Sequence, residues 1–415
     1  MEPSLTRREC LAIGTAGLAC TGSSFSQKPS AQPLLVAAVV TEWWRKSHAE
    51  VLLTKILEGW KHDGKEGPAL KLASVYVDQF PRNDLARAVC KKHGVPLFDS
   101  IEKAVTLGGR SIGVDGVLSI GEHGEYPSNK LGQKLYPRKR FFQEITAAFE
   151  KYGRVVPVFN DKHLSSIWAE AKWMYDRARQ LKVPLMAGSS LPVAYRNPSL
   201  DIPPDSEIES AVGIGYDELD MYGFHALECY QAIVERRKHA EQGVKWVRYL
   251  EGKAVWEAVD RGWVATDVME AVYAVIPKRK KTIREDNGAV LFQFEYTDGF
   301  RGAQFMLPSA ELTGVGVKLK GKKPMATAFE ERPDPHHPHF AYLLKAIETM
   351  IHTGRATYPV ERTLLTGGIL DRILTSQSLG GKKLLTPELA ISYKPVAYPH
   401  APRPDLLAAP PTSRK

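Results

Sequence analysis

At 415 residues, 43% apolar and 25% charged, the chain is long enough for two domains with separate cores, and its composition excludes a disordered or fibrous protein. The net charge of +9 is densest at Lys278-Arg279-Lys280-Lys281 and around Lys318–Lys323. No aromatic residues interleave with these runs, so they read as solvated loops, with no nucleic acid expected as partner. Four cysteines are too few for a disulfide framework, and without a Cys-x-x-Cys pair no structural zinc is expected.

The N-terminus reads Thr6-Arg7-Arg8-Glu9-Cys10-Leu11, followed by a mild apolar run to Ala19. Paired arginines before such a run resemble a twin-arginine export signal, which predicts a periplasmic or other extracytoplasmic protein. The run is too short for a stable transmembrane span. Residues 1–32 are therefore assigned to signal and linker. Leu34–Val40 is an apolar strand. A dinucleotide-binding fold would place a glycine-rich turn next, so that backbone amides and a helix N-terminus meet pyrophosphate. The chain instead has Thr41-Glu42-Trp43-Trp44-Arg45-Lys46-Ser47-His48. Glu42 repels phosphate and Trp43 crowds it, while Arg45 and Lys46 offer positive charge and Ser47 a hydroxyl. Two readings stand: a turn that no longer binds phosphate, and a nucleotide site of unusual composition contacted by Thr41, Trp43, Arg45 and Ser47.

Ala49–Trp60 reads as a helix and Lys71–Val77 as the second strand. Asp78 then falls where a ribose-binding acid is expected, although a lone Asp there also suits a turn. A helix through Ala86–Cys90 stops at Gly94, Val95-Pro96-Leu97-Phe98 is a short strand, and Ser100 caps a helix through Ile101 and Glu102. Val114–Ile120 is the next strand. This alternation predicts an α/β class and a doubly wound parallel sheet over residues 33–188. The following turn holds Glu122, His123 and Tyr126 at a strand's carboxyl end. An acid, an imidazole and a phenol there suit sugar hydroxyls or proton transfer; the alternative is a polar surface loop. Phe141–Tyr152 is a helix. Val155–Ser190 then reads strand, turn, helix, strand, with Asn160-Asp161-Lys162-His163 in the turn and Leu164 and Ile167 counted into the helix.

Gly94-Val95-Pro96, Val114-Asp115-Gly116-Val117, the Asp161-Lys162-His163 turn and the Met221–Glu228 helix together resemble the glucose–fructose oxidoreductase / inositol dehydrogenase / MocA family. The resemblance implies a Rossmann-like domain followed by an α+β domain, residues 189–397, with a mostly antiparallel open sheet. It implies NAD or NADP as cofactor, with Glu122 beside it, and a sugar or polyol as substrate. Lys162 falls at the place of the family lysine beside nicotinamide and substrate hydroxyl, with Asp161 and His163 replacing its glutamate and proline neighbours. His225 matches the histidine that assists proton transfer, but Met221 stands where its aspartate partner should be. Asp220 is one residue off, about 100° around a helix. The resemblance also implies Arg196 and Tyr222 as substrate contacts and a homo-oligomer through the free sheet face. Two other classes stay open: a non-redox lyase, epimerase or glycosidase on this scaffold, and a cofactor-free carbohydrate-binding protein.

Val290–Tyr296 and Phe300–Leu307 bracket Thr297-Asp298-Gly299, a hairpin with an Asp-Gly turn. Pro335-His336-His337-Pro338-His339 looks ligand-like, but no cysteine or paired acid completes a shell, so no metal is expected. Residues 398–415 read as a proline-rich mobile tail.

Overall fold

The computed structural model describes residues 32–332 and 336–402; the expected export signal lies outside them. Leu34–Val40 (β1), His48–Glu58 (α1), Leu70–Val77 (β2), Ala86–His93 (α2), Leu97–Phe98 (β3) and Ile101–Thr106 (α3) come first. Gly116–Ile120 (β4), Arg138–Tyr152 (α4), Val158–Asp161 (β5), Trp168–Leu181 (α5) and Leu185–Gly188 (β6) follow. The six strands form one parallel sheet in the order β3-β2-β1-β4-β5-β6. Strand order reverses between β1 and β4, the switch point where ligands of open α/β sheets bind. Helices cover both faces, so β1 needs apolar residues on both sides. Val36 and Val40 enter the core shared with α1, and Ala37 and Val39 that shared with α3, α4 and α5.

The second half contains Arg196–Asn197 (β7), Ile208–Gly215 (β8), Met221–Val234 (α6), Val244–Glu251 (β9), Lys253–Asp260 (α7) and Thr266–Val275 (α8). Val290–Tyr296 (β10), Arg301–Met306 (β11), Gly314–Leu319 (β12), Met325–Phe329 (β13), Pro338–Thr353 (α9), Glu361–Ser378 (α10) and Leu384–Leu385 (β14) complete it. Its eight strands lie in the order β14-β9-β10-β11-β8-β12-β13-β7. All pairings are antiparallel except β8 with β11. This is the mostly antiparallel sheet expected from the sequence, and Asp298-Gly299 turns the β10–β11 hairpin.

Both faces of this sheet carry helices of the same chain. Phe292, Phe294 and Met306 pack beneath α6 and α10, while Val212, Ile214, Leu291 and Phe305 pack with Val255 and Val259 of α7 and with Val268 and Val272 of α8. The approach is close: a Cβ added at Gly316 would lie 2.9 Å from the Val268 side chain.

The last two helices tie the halves together. Phe340, Leu343, Ile347 and Met350 of α9 join the core of the first sheet, so a sequence boundary at residue 189 separates the strands but not the cores. α10 packs on α5, α6 and β9. Among the described residues, no helix is long and apolar enough to cross a membrane.

Candidate active site

Lys162 immediately follows β5. Its backbone is left-handed, φ 59°, which is uncommon for a side chain of this size. Two hydrogen bonds to Gly188 hold it there: Lys162 N donates to Gly188 O at 3.1 Å, and Gly188 N to Lys162 O at 3.0 Å. The ammonium is almost wholly buried and donates to Glu122 Oε1 at 2.8 Å. Arg138, at the start of α4, donates to the other oxygen of Glu122 at 2.5 Å. Burial alone would raise the Glu122 pKa; the Lys162 and Arg138 charges outweigh it and hold the carboxyl well below its ordinary range. Glu122 is therefore the anchor of Lys162.

Around this ion triad lies a cluster of imidazoles and acids. His48, the first residue of α1, places Nδ1 2.6 Å from Asp161 Oδ2. His123 stacks edge-on against His48 and tilted against Trp44. Burial, reinforced by His48, pushes His123 down to about 4. His225 projects from α6, close enough that burial, then Lys162 and His48, hold it well below the usual imidazole range. Tyr222 lies beside His225 and Tyr216, and Tyr216 donates to Glu331 at 2.7 Å. Several buried polar atoms here lack a hydrogen-bonding partner among the described residues: His123 Nε2, Asp161 Oδ1, Asp220 Oδ1 and His225 Nδ1. Buried polar atoms are normally satisfied, so these four are available to water or to a hydrogen-bonding ligand.

The residues expected at the cofactor are placed differently. The Trp43 indole is fully buried in the core with Leu53, Val77, Ala86 and Cys90, and presents no surface to a nucleotide. Thr41 donates its hydroxyl to the Glu122 carbonyl at 2.5 Å, closing β1 against β4. Ser47 caps α1, its oxygen accepting from Glu50 N at 3.2 Å, while the Glu50 carboxylate accepts from Lys46 N at 3.1 Å. Of the first-turn helical amides this cap occupies that of Glu50, while Lys46 N lies before the helix. Arg45 is exposed. Asp78 accepts from Tyr76 at 2.7 Å, Tyr126 at 2.6 Å and Arg140 at 2.5 Å. Tyr126 therefore meets the expected ribose acid rather than Lys162. Arg196 does not reach the crevice; buried inside the second half, it donates to the carbonyls of Leu200 and Pro192 and lies over Phe329.

Sequence reasoning missed Arg138, His48, Tyr216 and Glu331. Arg138 sits in the run Arg138-Lys139-Arg140, which looks solvent-facing. His48 follows the turn already singled out, but its partner is 113 positions away.

No protein-family model and no curated protein sequence matches the chain. Solved structures do. GenD2 from gentamicin A biosynthesis, in complex with NAD, aligns with 88% of this chain and 99% of its own, at 13% identity and a TM-score of 0.56. A putative myo-inositol dehydrogenase from Sinorhizobium meliloti aligns over 85% of this chain and 99% of its own, at 12% identity and a TM-score of 0.54. A myo-inositol dehydrogenase from Corynebacterium glutamicum aligns over 85% and 98%, at 13% identity and a TM-score of 0.54. The chain thus has the two-domain dehydrogenase fold that its sequence resemblance implied. At these identities the likeness is one of fold, and function has to be argued from the site.

Proposed function

We propose that the protein is an oxidoreductase of the glucose–fructose oxidoreductase / inositol dehydrogenase / MocA type, exported by its twin-arginine-type leader and acting on a sugar or polyol with NAD(P). The observation that carries the reading is Lys162: a strained, buried ammonium at the carboxyl end of the sheet, surrounded by unpartnered polar atoms. Backbone strain of this kind concentrates at functional positions. The unpartnered atoms of His123, Asp161, Asp220 and His225 fit a hydroxyl-rich substrate beside the carboxamide of a nicotinamide. At the start of α1 the Glu50 amide is taken by Ser47, and the charge available to pyrophosphate is that of Arg45 and Lys46. When bound, a nicotinamide supplies the hydride acceptor. Lys162 polarises the substrate hydroxyl and stabilises developing alkoxide character; Glu122 and Arg138 keep it in place.

The test is binding of NAD+ and NADP+ by calorimetry, then nucleotide reduction with myo-inositol, scyllo-inositol and glucose. Lys162→Met is expected to lower turnover at least about 100-fold while leaving the fold intact. A wild-type protein that binds neither nucleotide refutes the reading.

The buried Trp43 indole and the Tyr126–Asp78 hydrogen bond favour one second reading, a carbohydrate-binding protein without nucleotide. It predicts polyol binding in the absence of NAD(P) and no nucleotide reduction at any substrate concentration.

A further inference from the structure

The family resemblance gives proton transfer to His225, yet this chain removes the means. Met221 replaces the expected acidic partner, and His225 Nδ1 is buried with no partner. Burial and the nearby ammonium of Lys162 disfavour its charged form. A second imidazole in the same crevice has what His225 lacks. His48 Nδ1 lies 2.6 Å from Asp161 Oδ2. Asp161 is the last residue of β5, wholly buried and adjacent in sequence to Lys162. The His48 side chain is 17% exposed, so the ring is not sealed within the core. Phe340 packs edge-on against the ring at 5.0 Å, and His123 at 5.5 Å, fixing its plane.

We propose that His48 is the proton acceptor of this crevice, oriented by Asp161. The proposal rests on the polyol-oxidoreductase reading and assigns within it a residue outside the resemblance. A hydrogen bond from Nδ1–H to Asp161 fixes the tautomer and leaves the Nε2 lone pair free to accept. The carboxylate then stabilises the imidazolium that forms. The substrate hydroxyl proton passes to His48 Nε2 and the hydride leaves the same carbon for the nicotinamide of NAD(P)+, the oxidant, giving a carbonyl product. The charged and titratable groups facing His48 are Asp161 at the end of β5 and Lys162 after it, Glu122 and His123 after β4, His225 on α6 and His339 on α9. Of these, only Asp161 is paired to the ring directly.

The test has two arms on the purified full chain. In the first, ¹⁵N-histidine spectra near pH 7.5 are assigned with His48→Gln, with His48→Asn as a second variant should the first not fold. His48 is expected as the Nδ1–H tautomer, and Asp161→Asn is expected to lose that preference. An Nε2–H tautomer in the wild type overturns the proposal, because that nitrogen then cannot accept. In the second arm, nucleotide reduction is measured with myo-inositol, scyllo-inositol and glucose. His48→Gln is expected to lose about 100- to 10,000-fold in kcat with KM within about threefold. Added imidazole is expected to restore part of the rate in His48→Ala. A normal rate in His48→Gln overturns the role of His48 alone. A wild type that neither binds nucleotide nor turns over overturns the oxidoreductase reading, and the role with it.

Discussion

Replacing Glu122 by glutamine would leave two buried cations without their shared anion. The side chains of Glu122, Lys162 and Arg138 are 2%, 4% and 1% exposed, so water cannot compensate. Removing one partner from such a group costs about 3–5 kcal/mol. With a urea m value of about 3 kcal/mol/M, the unfolding midpoint of Glu122→Gln should fall by about 1 to 1.7 M at pH 7, followed by tryptophan fluorescence. The pH dependence carries a sign. Lys162 and Arg138 hold the Glu122 carboxyl well below its ordinary 4.5. Its contribution is therefore complete above about pH 4.5 and is lost as pH falls toward the folded-state value. Wild type and variant should converge in acid. A double-mutant cycle with Lys162→Met should give a coupling of about 1–3 kcal/mol. A midpoint shift below about 0.3 M, or two curves that stay parallel down to pH 3, would refute the argument that this carboxylate anchors the lysine.

Two other expectations follow from the same interior. Glu228, buried on α6, accepts from the Ser189 hydroxyl at 2.6 Å and amide at 3.0 Å, yet burial outweighs these bonds and raises it from 4.5 to about 7. The folded protein thus retains a proton the unfolded chain releases, and stability should fall by about 3 kcal/mol as pH rises from 4.5 to 7; Glu228→Gln should lack that fall in urea midpoints, and a wild type whose midpoint is flat over this window would contradict it. Because α7 and α8 cover the outer face of the second sheet, light scattering should give the mass of one chain at micromolar concentration. A stable dimer with cross-links joining Lys318 of two chains would contradict that packing.

How much of this was legible depended on whether a signal was local. β1 coincides with the apolar run Leu34–Val40, because a strand buried on both faces has to be apolar throughout. The β10–β11 hairpin was marked by its own turn residues. The Val155–Ser190 stretch was read correctly in order but not in extent. Leu164 and Ile167 have helical spacing, yet α5 begins only at Trp168. Asn160 donates its amide to the His163 carbonyl at 3.0 Å, and the Ser165 hydroxyl accepts from Ile167 N at 3.2 Å; these side-chain bonds hold the backbone out of the helix. In the site, Lys162 was visible because a motif surrounds it. The Glu122–Arg138 pair and the His48–Asp161 pair were not, because each is made only when the start of a helix meets the end of a strand. Trp43 failed for a related reason: composition places an indole in the turn, but only the fold decides that it points into the core.

The contrast between the two ends of the crevice bears on how a cofactor is gripped. Pyrophosphate binding at a helix N-terminus needs bare amides and a close backbone approach. Here residues 41–47 separate β1 from α1, the Glu50 amide is spent on the Ser47 cap, and Glu42 and the buried Trp43 stand where glycines would allow that approach. At the other end, unpartnered polar atoms gather around Lys162. A nucleotide taken up by this chain therefore draws its binding energy mainly from the reactive end, the same place a polyol would occupy. In a protein with a glycine-rich phosphate turn, nucleotide and substrate are held by separate groups, and damage beside the lysine spares the nucleotide. In this one, loosening the anchor of Lys162 should weaken both ligands together.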